Sequence, residues 1–369
     1  MNRFSLFILA EVEKHASFSA KELAAHLFLP EKAVQDAIHE LYLQNILLPQ
    51  KKGYYMTFLG RTALMKYDFE KAETLLHERQ EMMKIICETL QISPQDIHHF
   101  TPVTLGMTNR SFLVNIKEKQ YIFRLPGEGT DQLVDRYREY SNYLALKGSD
   151  IADTVVYHNP LTGIKMTEFI ADCRMPDKTD AEDLQLCMAA LKHFHESGII
   201  VEHTFDFAER IAYYETLCLQ GDLPLPVEHK QAKQLVQTLL LLLQNTEKEN
   251  CFCHIDSVPG NFLIMPNDAI ALIDWEYAGM CDPIADVAMW CLSARYEKAA
   301  CDDLLPIYLT RTPTQNEWLR FYAYLALGGF MWGLWATYKA SLGETYGEYI
   351  DQMFGYCMQF APLALRFAN

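Results

Sequence analysis

The sequence predicts an α+β chain: a strand-rich lobe, then a helical lobe, behind a small head of helices and a hairpin. Three observations predict it. Short strand-like segments separated by turns fill residues 100–170. Helical apolar spacing dominates residues 171–369. Inside that helical lobe a single non-helical stretch, residues 254–286, gathers His, Asp and Asn at short fixed intervals.

The 369 residues suffice for two or three domains with ample core. Half are apolar, and no segment is repetitive or of low complexity. The net charge of -16 is uneven: residues 1–68 carry about +1 and the remainder -17. Such an acidic body argues against broad nucleic-acid binding and is compatible with a small cationic ligand. The ten cysteines are scattered without a CxxC pair. Cys251-x-Cys253 beside His254 lacks a second pair to complete a metal set, so reduced core thiols are expected. The N-terminal apolar run is short and lacks a cleavage site, which points to the cytoplasm. The longest apolar stretch, Phe321 to Thr337, holds three glycines and two tyrosines and reads as a buried helix, with no membrane insertion.

The head, 1–66, reads as a winged helix. Arg3–Lys14 has helical spacing, Ser19 with Glu22 forms a capping box for a second helix, and a third runs Glu31–Gln44. Ile46-Leu47-Leu48 and Tyr54–Thr57 make strands around a Gln50–Gly53 wing. The third helix carries Glu31, Lys32, Asp36 and Glu40, a poor surface for a phosphate backbone. A protein partner is therefore favoured over DNA. Residues 67–99 read as a helical connector.

The strand-rich lobe, 100–170, begins with Val103–Gly106 and Ser111–Asn115 flanking a turn. That turn offers backbone N–H groups and the Thr108, Asn109 and Ser111 side chains to phosphates. Tyr121–Leu125 is the next strand. Its Arg124 sits among apolar residues and needs an acidic partner; Glu139, in a helix expected over Gln132–Leu146, is the natural one, with Arg136 and Arg138 beside it as alternative partners for that acid. Such a pair would orient the phosphates of ATP. Lys165–Ile170 closes the lobe, where backbone groups of Glu168 and Ile170 would hold adenine. Strands first, helices after, and chemistry in the helical lobe make the two-lobed protein-kinase plan.

The chemistry lies in His254-Ile-Asp256-Ser-Val-Pro-Gly-Asn261 and, after the apolar run Ala269–Ile273, in Asp274-Trp-Glu276-Tyr277. Phosphoryl transfer to an alcohol needs a carboxylate to orient the hydroxyl and take its proton, and oxygen ligands for Mg²⁺. Asp256 is the expected base, and Asn261 and Asp274 the expected metal ligands. His254 is expected to be structural. Asp286 is expected to tie down the catalytic loop through its backbone.

These two segments, with Gly106-Met-Thr-Asn109, Tyr121–Thr130 and Gly163–Ile170, resemble the bacterial choline/ethanolamine kinase family, within the aminoglycoside-phosphotransferase-like kinases. The resemblance covers about residues 100–360 and is most specific at Asp274-Trp-Glu-Tyr-Ala-Gly279. It implies ATP:choline phosphotransfer by the residues just named. Choline has no N–H to donate and is held by aromatic faces. Trp332 and Trp335, three residues apart, share one helix face. The resemblance implies that they form cage walls and that Tyr277 helps; without it they read as core. Where the family usually carries an acid facing the cation, this chain has Ser293, with Glu297 nearby. Glu297 or Asp256 then balances the charge, or the acceptor is ethanolamine or another amino alcohol. Two further readings are an aminoglycoside or other small-molecule kinase, and a DNA-binding regulator with a kinase-like sensor. The intact Asp256, Asn261 and Asp274 favour an enzyme.

Overall fold

Ser19 opens a helix of the head, α1 (Ala20–His26): its side chain accepts from the Glu22 amide while Glu22 reaches back to the Ser19 amide, completing the expected capping box. Helix α2 (Glu31–Leu43) buries Val34, Ala37, Ile38 and Leu41, the face its spacing predicts. A hairpin of β1 (Leu47–Pro49) and β2 (Tyr54–Met56) follows. Leu23, Leu27 and Leu47 join these side chains in a small core separate from that of the body. The computed structural model describes residues 5, 8–9, 11–12, 18–43, 47–49, 54–56, 69–103, 109–127, 129–221 and 223–368. Most of the expected Arg3–Lys14 helix and the Gln50–Gly53 wing lie outside these residues.

The chain divides into two compact units. One comprises residues 1–105, 110–124 and 166–169, the other 106–109, 125–165 and 170–369. In the first, the connector is helical only over α3 (Phe69–Leu90). Gln91 turns left-handed, a Ser93-capped turn follows, and β3 begins at Ile97. β3 runs over Ile97–Val103, and of the strand expected at Val103–Gly106 residues 104–106 lie outside the described residues. His98, Thr101 and Pro102 show no alternating pattern, and the pairing with β4 (Asn109–Ile116), Ile97 to Ile116 and Val103 to Ser111, makes the strand. β5 (Lys119–Pro126) follows a tight turn at Lys117, and β4 lies between β3 and β5.

In the second unit, the helix expected over Gln132–Leu146 is shorter: α4 spans Arg136–Ala145. Asp135 caps it by accepting from the Tyr137 and Arg138 amides, and so sets its start. β6 (Val155–His158) follows; β7 (Lys165–Glu168), which from Met166 on belongs to the first unit, leads to a helical body of α5 (Ala181–His195), α6 (Phe207–Gln220) and α7 (His229–Gln244). Two short ribbons interrupt it: β8 (Cys251–Cys253) with β11 (Gly279–Cys281), and β9 (Phe262–Ile264) with β10 (Ile270–Leu272). Helices α8 (Pro283–Ala294), α9 (Lys298–Leu309), α10 (Gln315–Ser341) and α11 (Tyr349–Phe367) complete the unit. The stretch 321–337 is the buried middle of α10, and no described helix is long and apolar enough to cross a membrane.

α10 and α11 meet through glycine. A Cβ on Gly329 would stand 2.5 Å from the Met353 carbonyl oxygen and 3.1 Å from the Cys357 amide. Both obstacles are backbone, so Gly329→Ala must push the helices apart. We expect it to cost about 1–3 kcal/mol, read as a lower urea midpoint. An unchanged midpoint would show that the helices yield freely.

Candidate active site

The two ribbons hold two loops. Residues 254–261 run from β8 to β9, and 273–278 from β10 to β11. The first loop is held from behind. Asp282 caps α8 by accepting from the Ile284 amide, Pro283 supplies the first helical residue, and Arg320 binds both Asp282 oxygens at 2.7 Å. One turn on, fully buried Asp286 accepts from the His254 amide (2.7 Å) and the Ile255 amide (2.6 Å). The Ser257 hydroxyl donates to the Asp286 carbonyl. Asp286 therefore does tie the loop through its backbone. Ile255 is held at φ 68° and Asp274 at φ 66°, a left-handed region that a β-branched residue rarely enters. The Asp286 clamp gives Ile255 the support to stay there.

His254 packs on Trp275 with ring centroids 4.5 Å apart and donates from Nε2 to the Ile273 carbonyl. Burial lowers its pKa. A neutral ring with its Nε2 proton committed to a backbone carbonyl is a strut between the two loops.

Asp256 comes to rest beside Asn261, whose Nδ2 donates to the Asp256 carbonyl at 2.9 Å and to its Oδ2 at 3.2 Å. This leaves the Asn261 side-chain oxygen, Oδ1, to face a cation, while its backbone carbonyl accepts from the Ile273 amide. Burial, then the charges of Asp274 and Glu276, push Asp256 up to about 8. The expected metal ligand Asp274 lies in a cluster with Glu139 and Glu276, their carboxylate oxygens within 4.8 Å of one another. A donor set made only of oxygens fits a hard cation such as Mg²⁺.

Among the described residues, two cations face this cluster: Arg136, one of the alternative partners the sequence offered for Glu139, and Lys165, which sequence reasoning missed. Lys165, 4% exposed, lies 3.2 Å from Glu139, 4.0 Å from Asp274 and 2.5 Å from the Tyr143 hydroxyl. Arg136 bridges Glu139 (3.0 Å) and Glu276 (3.3 Å) and also donates to Thr130 and Asn109. A lysine in a strand whose neighbours are buried calls for a partner by the argument applied to Arg124, and could have been found that way. Within its own unit Glu139 is held by Arg136 and Lys165. Arg124 belongs to the other unit, where it is buried in β5.

Of the expected nucleotide residues, Asn109 donates to Glu276 at 2.8 Å. Ser111 pairs with Val103 in the sheet. Glu168 is exposed at the end of β7, 3.5 Å from Lys119, and the Ile170 carbonyl accepts from the Cys173 thiol. Thr108 lies outside the described residues.

The three expected acceptor residues do meet. Tyr277 and Trp332 stand edge to face at 5.3 Å, Trp332 and Trp335 at 5.9 Å, and the Trp335 Nε1 donates to the Tyr277 hydroxyl at 3.1 Å. Tyr346, 5.6 Å from Trp335, and Tyr349, 6.1 Å from Tyr346, extend the row. Asp256 acts electrostatically on both Tyr277 and Tyr349, helping to raise their pKa values, so the row runs beside the expected base. Tyr346 and Tyr349 lie beyond the end of α10, where no helical spacing links them to Trp335.

Comparison with known proteins gives the family. The profile of the phosphotransferase enzyme family (APH) matches residues 99–323. The chain is 25% identical to Protein LicA of Haemophilus influenzae over 276 residues, covering 69% of this chain and 80% of that protein. It is similar to the crystal structure of choline kinase LicA from Streptococcus pneumoniae, with TM-score 0.67, 28% identity, and coverage of 77% of this chain and 99% of that one. A choline/ethanolamine kinase family protein from Mesorhizobium loti shares the fold, with TM-score 0.65, 19% identity, and coverage of 78% and 97%. The family profile begins at residue 99, past the head. The matched residues span both acid-bearing loops and the start of α10, and the chain belongs to the phosphotransferase enzyme family.

Proposed function

We propose that the chain transfers the γ-phosphoryl group of Mg-ATP to the hydroxyl of choline or a closely related amino alcohol. The observation that carries the choice of acceptor is the row Tyr277, Trp332, Trp335 beside the carboxylate of Asp256. A quaternary ammonium is attracted to aromatic faces, by about 0.5–2 kcal/mol each. The likeness to a choline kinase from Streptococcus pneumoniae supports the same reading.

The charge of the acceptor then needs an acid. Glu297 is exposed at the start of α9, whereas Glu276 and Asp256 act directly on Tyr277. Asp256 and Glu276 therefore balance the cation in place of the acid that Ser293 lacks. Asp256 orients the alcohol and receives its proton, and Asn261 holds Asp256 in position. Asp274, with the Asn261 side-chain oxygen Oδ1 and with Glu276, would hold Mg²⁺, which draws charge off the transferring phosphoryl group. Arg136 and Lys165 stand against this cluster and are placed to follow phosphate charge.

The test is ATP consumption with choline, ethanolamine and an aminoglycoside as separate acceptors. Choline or ethanolamine turnover supports the proposal; turnover with the aminoglycoside alone overturns it. Trp332→Ala is expected to raise the acceptor KM about tenfold, from loss of one cation–π wall of roughly 1–2 kcal/mol. The ATP KM should move little. Equal increases in both would show Trp332 to be core packing.

A further inference from the structure

One polar cluster lies outside this chemistry, on the far side of Asp286. β8 and β11 pair with Cys281 opposite Cys251 and Gly279 opposite Cys253. Residues two apart on a strand, and residues directly opposite across a pair, share one face. The pairing therefore sets Cys251, Cys253 and Cys281 on one side of the ribbon. His195, the last residue of α5, closes on the same place: a ring nitrogen and the Cys251 and Cys253 sulfurs all lie within 4.8 Å of one another.

The chemistry of the imidazole is already arranged. Asp286 can only accept, so His195 donates from Nε2 to its Oδ2 at 2.9 Å. Nδ1 therefore carries the lone pair, and it accepts from the Tyr308 hydroxyl at 2.9 Å. Tyr308 in turn feels Cys251 and Cys253, which help to raise its pKa. A histidine that ligates a metal with one nitrogen and donates from the other to a carboxylate is the usual supported form of such a ligand. The two sulfurs stand 3.7 Å apart. Two sulfurs on a tetrahedral Zn²⁺, each about 2.3 Å from the ion, are separated by roughly 3.7–3.8 Å.

We propose that His195, Cys251 and Cys253 form a binding site for a thiophilic divalent cation of the Zn²⁺ class, behind the catalytic loop and separate from the Mg-ATP site. Both thiols release their protons to solvent as their sulfurs bind, the ring gives up the Tyr308 hydroxyl at Nδ1, and the half-buried Cys251 side leaves the fourth position to water. Burial pushes the Cys253 thiol well above its ordinary range; the charge of a bound cation reverses that sign. Because His195 Nε2 stays on Asp286, occupancy stiffens the carboxylate that holds His254 and Ile255.

The reduced full-length protein is titrated with Cd²⁺ in the presence of Mg²⁺, reading the ultraviolet thiolate-to-metal charge-transfer band. One equivalent is expected to saturate the band and to be displaced by Zn²⁺. Cys251→Ser should weaken Cd²⁺ affinity at least tenfold, while Cys87→Ser and Cys173→Ser leave it unchanged. Cys251 is half-buried, so its serine variant keeps the fold; His195→Gln supplies a second ligand test. No saturable band in the parent, or an affinity in Cys251→Ser and His195→Gln equal to the parent's, overturns the site. Bound Cd²⁺ should also slow hydrogen exchange at the His254 and Ile255 amides; unchanged exchange overturns the link to the loop.

Discussion

Asp256→Ala is expected to lower turnover by at least about 10²–10⁴-fold, the range that a positioned general base supplies. Nucleotide affinity should stay close to that of the parent, because Asp256 is proposed to meet the acceptor rather than ATP. Retained turnover would remove Asp256 from the chemistry. The pH dependence adds a second reading. Without a cation, Asp256 is pushed up to about 8 by burial and by Asp274 and Glu276. Mg²⁺ beside those two carboxylates opposes their effect, so the acid limb of kcat/KM should move to lower pH as Mg²⁺ is raised. The folded state holds this proton far more tightly than an unfolded Asp of ordinary pKa. Its contribution to stability is therefore complete below the unfolded value and is lost as pH rises through about 8. Asp256→Asn removes that dependence, so the parent's urea midpoint should fall across this window relative to the variant's.

The second large effect is Asp286→Ala. It leaves two buried amides and the His195 Nε2–H without their acceptor. At about 1–3 kcal/mol for each buried orphan, with partial relaxation, roughly 3–5 kcal/mol of stability should be lost. Turnover should fall about 10²-fold, since a shift on the order of 1 Å in a catalytic group costs that much. Ile255, at φ 68°, would relax first and carry Asp256 with it. Asp286→Asn keeps one acceptor oxygen and should lie between. Urea melts and kcat measure the two losses separately. A stable, active Asp286→Ala protein would show that the loop holds itself.

The acid-bearing loops were legible because their residues are close in the chain. Asp256 and Asn261, five apart, are joined by a hydrogen bond, and the capping box at Ser19–Glu22 formed as its spacing requires. Both rest on local geometry, in which a few torsion angles determine the contact. The strand over Ile97–Val103 has the opposite cause: nothing local in His98–Pro102 marks a strand, and pairing with β4 makes one.

By itself, the sequence determined the two-lobed α+β plan, the apolar face of α2, the burial of residues 321–337 and the acids expected to carry phosphoryl transfer. Hydrophobic period, caps and short motif spacing are properties of neighbouring residues, and a chain displays them before it folds. Tertiary structure alone decided that Arg136 and Lys165 face the Glu139, Asp274 and Glu276 cluster, that Tyr346 and Tyr349 extend the row from Trp335, and that His195 meets Cys251 and Cys253 behind Asp286. Those contacts join residues far apart in the chain. Their existence depends on how helices and ribbons pack, which no local spacing encodes.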